Sequence, residues 1–548
     1  MVAPVPITQT RWPIFIALVV GLASLGIFWY IVLSDPKGEA VPASGGHYTE
    51  GVTRASERIN PLFAGVNQTD ADLASLIFSG LVRLGTDGTP QPDLAERWEI
   101  TGNGQSYVFH LRQGVQWQDG EAFDADDVVF TYKTISAPGF KGDPALSQLM
   151  QGVIVDARDP LTVEFKLEQA YAPFLAYLTI GILPRHLLTK LDQNALFNAP
   201  FNLQPVGTGP YALKSRTDDS VVLKPNPTYY LGPPHISLFE LKSFADAGSL
   251  TAALRAGSID GALLGPDVAA ADLQFFRDDH RVTIHDLTST SYFTIELDTR
   301  SALFSDKSVR RALLESIDRQ LLIDSALAGR GEIIDAGIPK QSWAYAASDG
   351  VAFDAETAAA ALDTAGWPVG GDGVRRKGDT ALSFVLSTTN DRQRVAVAET
   401  IAFQWRKIGV DAQVQPLSAA SFIDEHLLPR KFEAALVAID PGPDPDPYPF
   451  WHSSQIAPPG RNLSDYSESR MDEALQRGRQ TTDIARRKEL YAQFEDYLIA
   501  ATPALPLYAP TYTYVQTSRV QGFAASLLFE PASRFANVAA WFLETRVQ

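Results

Sequence analysis

The chain has no cysteine in 548 residues. That excludes disulfides, thiolate catalysis, Cys-ligated metals and a lipid-modified N-terminal cysteine. Histidine is scarce: there are eight, and no two are four residues apart. A helix-borne His pair for zinc is therefore missing. Basic residues are outnumbered, 46 against 64 acidic ones, for a net charge of −18. A surface of that sign repels phosphate backbones, so nucleic acid is not an expected partner. There is no P-loop, no H-E-x-x-H and no G-x-S-x-G. Short-period repeats, heptads and low-complexity tracts are absent as well.

Long apolar runs are also rare, with one exception. Residues 14–33 (IFIALVVGLASLGIFWYIVL) are 20 consecutive residues without charge. At about 1.5 Å rise per residue they span the roughly 30 Å core of a bilayer. Arg11 precedes the run and Asp35 comes after it, an order that directs the remainder outward. The expected layout is a short cytoplasmic stretch (1–13), a transmembrane signal-anchor (14–33), a Pro/Gly/Ala linker (34–46) and an exported body. The alternative is a cleaved signal peptide. Its apolar region would be unusually long, and Val41-Pro42-Ala43 offers a cut site. Either way, residues 47–548 are exported. Without disulfides, the body depends on core size, and 45% hydrophobic residues provide ordinary globular material for it.

Local signals along the body mix helices and short strands, an α/β pattern in several lobes. Residues 69–78 read as a helix with acidic residues in its first turn. Asp87-Gly88 marks a turn, and a short helix is expected to end at Trp98. Residues 107–111 read as a strand, and Asp124 as the N-cap of a helix. Residues 205–213 and 221–223 read as strands joined by the turn 215–220. Residues 305–329 read as helical with a break near Asp318. Val397, Ile401, Trp405 and Ile408 share one helical face. Leu490, Phe494 and Leu498 mark a late helix, and 502–515 an extended stretch.

Two patterns invite specific chemistry and fail. Gly207-Thr208-Gly209-Pro210-Tyr211-Ala212 fits G-x-G-x-x-A, but the residues after it are strand-like, whereas a dinucleotide site needs a helix there. Asp440, Asp444 and Asp446 are spaced by prolines and lack the glycine and glutamate of a calcium loop, so a structural loop is the expected reading.

A series of blocks does carry a resemblance. They are Asn60-Pro61-Leu62, 74–82 (ASLIFSGLV), 92–98 (PDLAERW), 107–120 (YVFHLRQGVQWQDG) and 124–132 (DADDVVFTY). Then come 205–211 (PVGTGPY), 226–230 (NPTYY), 304–318 (FSDKSVRRALLESID), 408–410, 444–451 (DPDPYPFW), 462–466 and 471–475. In this order and spacing the chain resembles the extracytoplasmic solute-binding proteins of peptide-type ABC transporters, the dipeptide/oligopeptide/nickel-binding class. The resemblance covers about 48–520.

The resemblance implies an α/β fold, a three-lobed periplasmic-binding-protein-like clamp. Lobe I would be 47–85, 204–290 and 510–548, lobe II the insertion 86–203, and lobe III 291–509. Lobes I and III would close about crossover strands near 288–297 and 508–515. It implies a ligand carboxylate for a peptide α-ammonium, best matched by Asp440; the competing reading is a surface or turn-capping Asp. Tyr292, Trp451 and Tyr508 are candidate cleft aromatics. Trp405 is a weaker candidate, because its helical stripe points to the core. The implied partners are a peptide or other small solute, ABC permease subunits, and the membrane through the N-terminal helix. The protein would be a monomer with no cofactor, no metal and no catalysis, located at the cell membrane with its binding domain periplasmic or on the cell surface. A metal chelate, an oligosaccharide or an opine is the alternative ligand. A secreted hydrolase or a sensor module is the alternative class. Neither a catalytic constellation nor room for a cytoplasmic domain in 13 residues supports these last two.

Overall fold

The computed structural model describes residues 40–265 and 268–547. Among them no helix is long and apolar enough to cross a membrane. The expected anchor 14–33 and the stretch 1–13 lie outside the described residues.

A 12-stranded sheet organises the chain. Its path runs Asp411–Leu417, Ser383–Thr389, Ala434–Ile439, Tyr292–Leu297, Ala504–Thr517, Gly261–Leu264, Gly45–Val52, Ile236–Ser243, Ser220–Pro225, Tyr211–Arg216. The strand Ala504–Thr517 is long enough, at 14 residues, to belong to both halves. Its first half pairs with Tyr292–Leu297 and Gly331–Ile333; its second half pairs with Val282–Thr288 and Gly261–Leu264. Beside it, residues 289–291 join Val282–Thr288 to Tyr292–Leu297. The chain thus crosses between the halves at two adjacent places, where the crossovers were expected. Thr, Tyr and Val dominate residues 511–515, and they suit extended backbone.

Apolar packing divides along the same line. One continuous core runs from Tyr48 to Leu287 and takes back Tyr514, Leu528, Phe535 and Trp541. It includes Tyr107, Phe109, Tyr132 and Phe165, three of them from a four-stranded sheet of Ala95–Thr101, Ser106–Leu111, Thr162–Lys166 and Ile154–Asp159. The inserted segment therefore packs with the first half as one body. Two further large cores and a small one around Trp343 and Tyr491 lie within 292–509. Each half thus has its own packed core, and the joins between them run side by side in the sheet.

Local chemistry explains the main elements. Asn67 caps the helix Gln68–Ile77 by accepting the Thr69 N–H. Asp124 and Asp127 form a capping box on Ala125–Ser136. The break at Asp318 is a cap: Lys307–Glu315 ends, and Asp318 accepts the Leu321 N–H to open Arg319–Ala326.

Three local expectations need correction. Residues ending at Trp98 form a strand, Ala95–Thr101, because Trp98 pairs opposite Phe109 and alternates with Ile100 toward the core. Residues 40–46 are not a linker: Ala40–Ala43 pairs antiparallel with Glu544–Val547, and Gly45 already opens the next strand. The strand expected from 205 begins at Tyr211. Before it, Gly207 and Gly209 lie against the end of Gln68–Ile77, and Gly209 N–H donates to the Ile77 carbonyl at 2.8 Å. A Cβ on Gly207 would sit 1.9 Å from that oxygen, so these glycines serve close backbone approach and not phosphate.

Candidate ligand-binding site

The strand Ala434–Ile439 is apolar on both faces until its end, where Ala438 and then Asp440 are exposed. It pairs with Tyr292–Leu297 along its whole length. On the other side it pairs with Ser383–Thr389 only at Ala434 and Ala435, and the Thr388 hydroxyl reaches the Leu436 carbonyl at 3.5 Å. Among the described residues, the outer edge of Val437–Ile439 has no strand partner. An unpaired edge is a place where an extended chain can add itself by main-chain hydrogen bonds.

Ala438 stands opposite Phe293, and Phe293 opposite Tyr508. The two rings stack at 4.9 Å and 15°. The Arg394 guanidinium lies 5.4 Å from the Phe293 ring centre. Phe293 is half-buried, whereas Tyr508 beneath it is not accessible. Phe293 was missed in the sequence, though Tyr508 beside it was a candidate. Its only signal is that Phe293 occupies the outward position beside Tyr292 in an alternating strand.

The loop 440–447 comes next. Asp440 Oδ1 accepts the Gly442 N–H at 2.9 Å, and Gly442 adopts φ +78°, a turn that suits glycine. Asp444 takes both arms of Arg487, at 2.9 and 2.6 Å. Asp446 accepts Arg479 Nε at 2.9 Å and the Tyr448 N–H at 3.1 Å. Burial raises the Asp446 pKa, and Arg479 opposes that shift. Burial would lower the Arg487 pKa; attraction to Asp444 outweighs it and keeps the guanidinium charged. Of the three aspartates, two are neutralised inside the protein. Among the described residues, Asp440 has no cationic partner. Asp444 and Asp446 are thus arginine partners in a structural loop.

The candidate aromatics are used in packing. Tyr292 and Trp451 share one apolar cluster behind the strand, with Ile439 and Phe494, at 3% and 1% exposure. Gly337 admits the Tyr292 ring; a Cβ there would be 2.8 Å away. Tyr508 is 2% exposed. Burial raises the pKa of both tyrosines. Trp405 is fully buried on the helix Arg392–Lys407 and donates its indole N–H to the Leu313 carbonyl at 2.9 Å, the core role its stripe implied. The structure stacks Tyr508, itself buried, on the half-buried Phe293, sets Tyr292 and Trp451 in a buried cluster, and keeps Trp405 apart. In this conformation none of the four presents a surface to a ligand. Among the described residues there is no group of three or more His, Asp or Glu arranged to hold a metal.

Residues 89–458 match the family described as bacterial extracellular solute-binding proteins, family 5 Middle. The chain is 31% identical over 483 residues to Protein XP55 of Streptomyces lividans, covering 87% of this chain and 86% of that one. It is 27% identical over 522 residues to the oligopeptide-binding protein AppA of Bacillus subtilis, covering 93% and 94%. The structure of that AppA in complex with a nonapeptide superposes with a TM-score of 0.68 at 26% identity, over 92% of this chain and 100% of the other. The structure of NikZ from Campylobacter jejuni in complex with Ni(L-His) gives 0.68 at 27% identity, over 90% and 99%.

Proposed function

Because the chain belongs to the bacterial extracellular solute-binding proteins of family 5, we propose that it captures peptides between its two halves and delivers them to the permease of an ABC transporter. The observation that carries this reading is Asp440: an exposed carboxylate that, among the described residues, has no cationic partner and ends a strand whose outer edge is open. A peptide α-ammonium supplies the missing charge, and its main chain can extend the open edge. Such recognition reads the backbone and the free amine rather than side chains, and water can fill the remaining space. The nonapeptide bound by the Bacillus subtilis relative supports this ligand class.

The protein acts by binding and release, without turnover, as a monomer. Its run 14–33 tethers it to the membrane with the body outside the cytoplasm. Carbonate-washed membranes then retain the full-length chain; a soluble product beginning near Ser44 contradicts the tether. A second reading keeps the clamp and changes the cargo to a metal chelate, and the nickel–histidine complex of the Campylobacter jejuni relative favours it. Mass spectrometry of small molecules released on denaturing the protein, purified from its own host, separates the two. Peptides are expected, and a chelate without peptides overturns the peptide reading.

A further inference from the structure

The inserted segment belongs by its core to the first half of the molecule, yet it touches the loop that carries Asp440. Tyr171 opens the short helix Ala172–Thr179, and Tyr107 fixes the turn there by donating its hydroxyl to the Tyr171 carbonyl at 3.0 Å. From this position the Tyr171 ring lies 5.1 Å from the guanidinium carbon of Arg479, which belongs to the other half. Arg479 also meets the Tyr448 ring, at 4.0 Å. Tyr448 in turn stacks on His452 at 4.1 Å and 19°. The result is a continuous chain of contacts, Tyr171–Arg479–Tyr448–His452, one ring from the inserted lobe and the rest from 292–509.

These contacts connect to the loop through charge. Arg479 Nε holds Asp446, whose N–H donates to the Asp444 carbonyl at 2.8 Å. Tyr177 of the same short helix lies close by: a Cβ added to Gly442 would meet its hydroxyl at 3.6 Å. Gly442 is the residue whose N–H the Asp440 carboxylate accepts. Tyr171 therefore reaches one end of 440–447 through Arg479, and Tyr177 lies near the other. A guanidinium close to two rings is attracted to both, most strongly where water is excluded. Arg479 is three-quarters buried at its side chain.

We propose that Tyr171, acting through Arg479, is a positioning residue for the Asp440 loop, so that the inserted lobe takes part in gripping the ligand rather than decorating the clamp. The proposal rests on the reading of Asp440 as the ligand for a peptide amine. Losing the Tyr171 ring removes one of the two aromatic contacts of Arg479, and the loop should sample open conformations more often.

Hydrogen exchange on the full chain tests this without ligand. In Tyr171→Leu, the amides of Gly442, Asp446 and Tyr448 should exchange about three- to tenfold faster, with Ser383–Thr389 unchanged. Tyr171→Phe keeps the ring and should exchange as wild type. The same Tyr171→Leu should weaken binding of tri-alanine by a similar factor and leave N-acetyl-tri-alanine as in wild type. Unchanged exchange overturns the proposal, as does equal weakening of both peptides, which a merely structural role would produce. If wild type binds the two peptides equally, the amine reading fails instead, and the exchange result alone decides whether Tyr171 holds the loop.

Discussion

Arg487 grips Asp444 with two hydrogen bonds, 2.9 and 2.6 Å long, and the side chains of both are 5% exposed. The pair ties the loop after the strand Ala434–Ile439 to the helix Ile484–Ala501. Tyr491, one turn on, accepts a further 2.8 Å bond from Arg487, and the guanidinium lies 4.9 Å from the Trp343 ring. Removing one member leaves a buried charge without its partner. Arg487→Met should therefore lower stability by about 3–5 kcal/mol. Urea unfolding measures it, and a loss below about 1 kcal/mol would show that the pair is not a structural anchor.

Two glutamates set a pH dependence of stability. Burial pushes Glu296 up to about 8, against the pull of Arg430. Burial likewise pushes Glu495 up to about 8, with Asp496 and Asp335 adding to it. Each keeps its proton in the folded chain at a pH where the unfolded chain, near the ordinary 4.5, has lost it. The folded state then binds more protons, so stability falls as pH rises through the window from about 5 to 8. Glu296→Gln removes one of the two and should flatten that fall. Unfolding midpoints at about pH 5 and about pH 8 for both proteins check it; equal slopes contradict the assignment.

The pairing of Ala40–Ala43 with Glu544–Val547 joins the two ends of the described chain. Val41 and Arg546 are direct partners in that ladder. Antiparallel partners sit ~4.5–5.5 Å apart at Cα, within disulfide range. In a chain with no cysteine, Val41→Cys with Arg546→Cys should oxidise to a single internal disulfide. Intact mass and a gel-mobility shift on reduction read it out. Failure to cross-link would contradict the strand pair and return residues 40–43 to the role of linker.

Much of this fold was legible in local sequence. The helix near 69–78, the break near Asp318 and the extended stretch ending at Val515 each announce themselves within a dozen residues. The family resemblance supplied the clamp fold. The features that stayed hidden depend on distant partners. Nothing near Asp444 foretells Arg487, 43 residues later, and nothing near Val41 foretells a strand at the far end of the chain. Trp98 misled because Leu94 and Trp98 stand at helical spacing, while the actual partner, Phe109, decides for a strand. For the site, the family resemblance singled out Asp440. Only the structure shows why it differs from its neighbours: Arg487 and Arg479 occupy the other two.

The central claim is that Asp440 reads a free amine. Asp440→Asn preserves shape and removes the charge; N-acetylation removes the charge from the ligand. Calorimetry on wild type and Asp440→Asn, each with tri-alanine and N-acetyl-tri-alanine, compares all four combinations. A charged contact that the bound peptide buries costs about 2–5 kcal/mol to break, roughly a 30- to several-thousand-fold loss of affinity. Each single change should produce such a loss, and the two together should cost less than their sum. Binding of tri-alanine to Asp440→Asn as tightly as to wild type would contradict the account and place the amine anchor elsewhere.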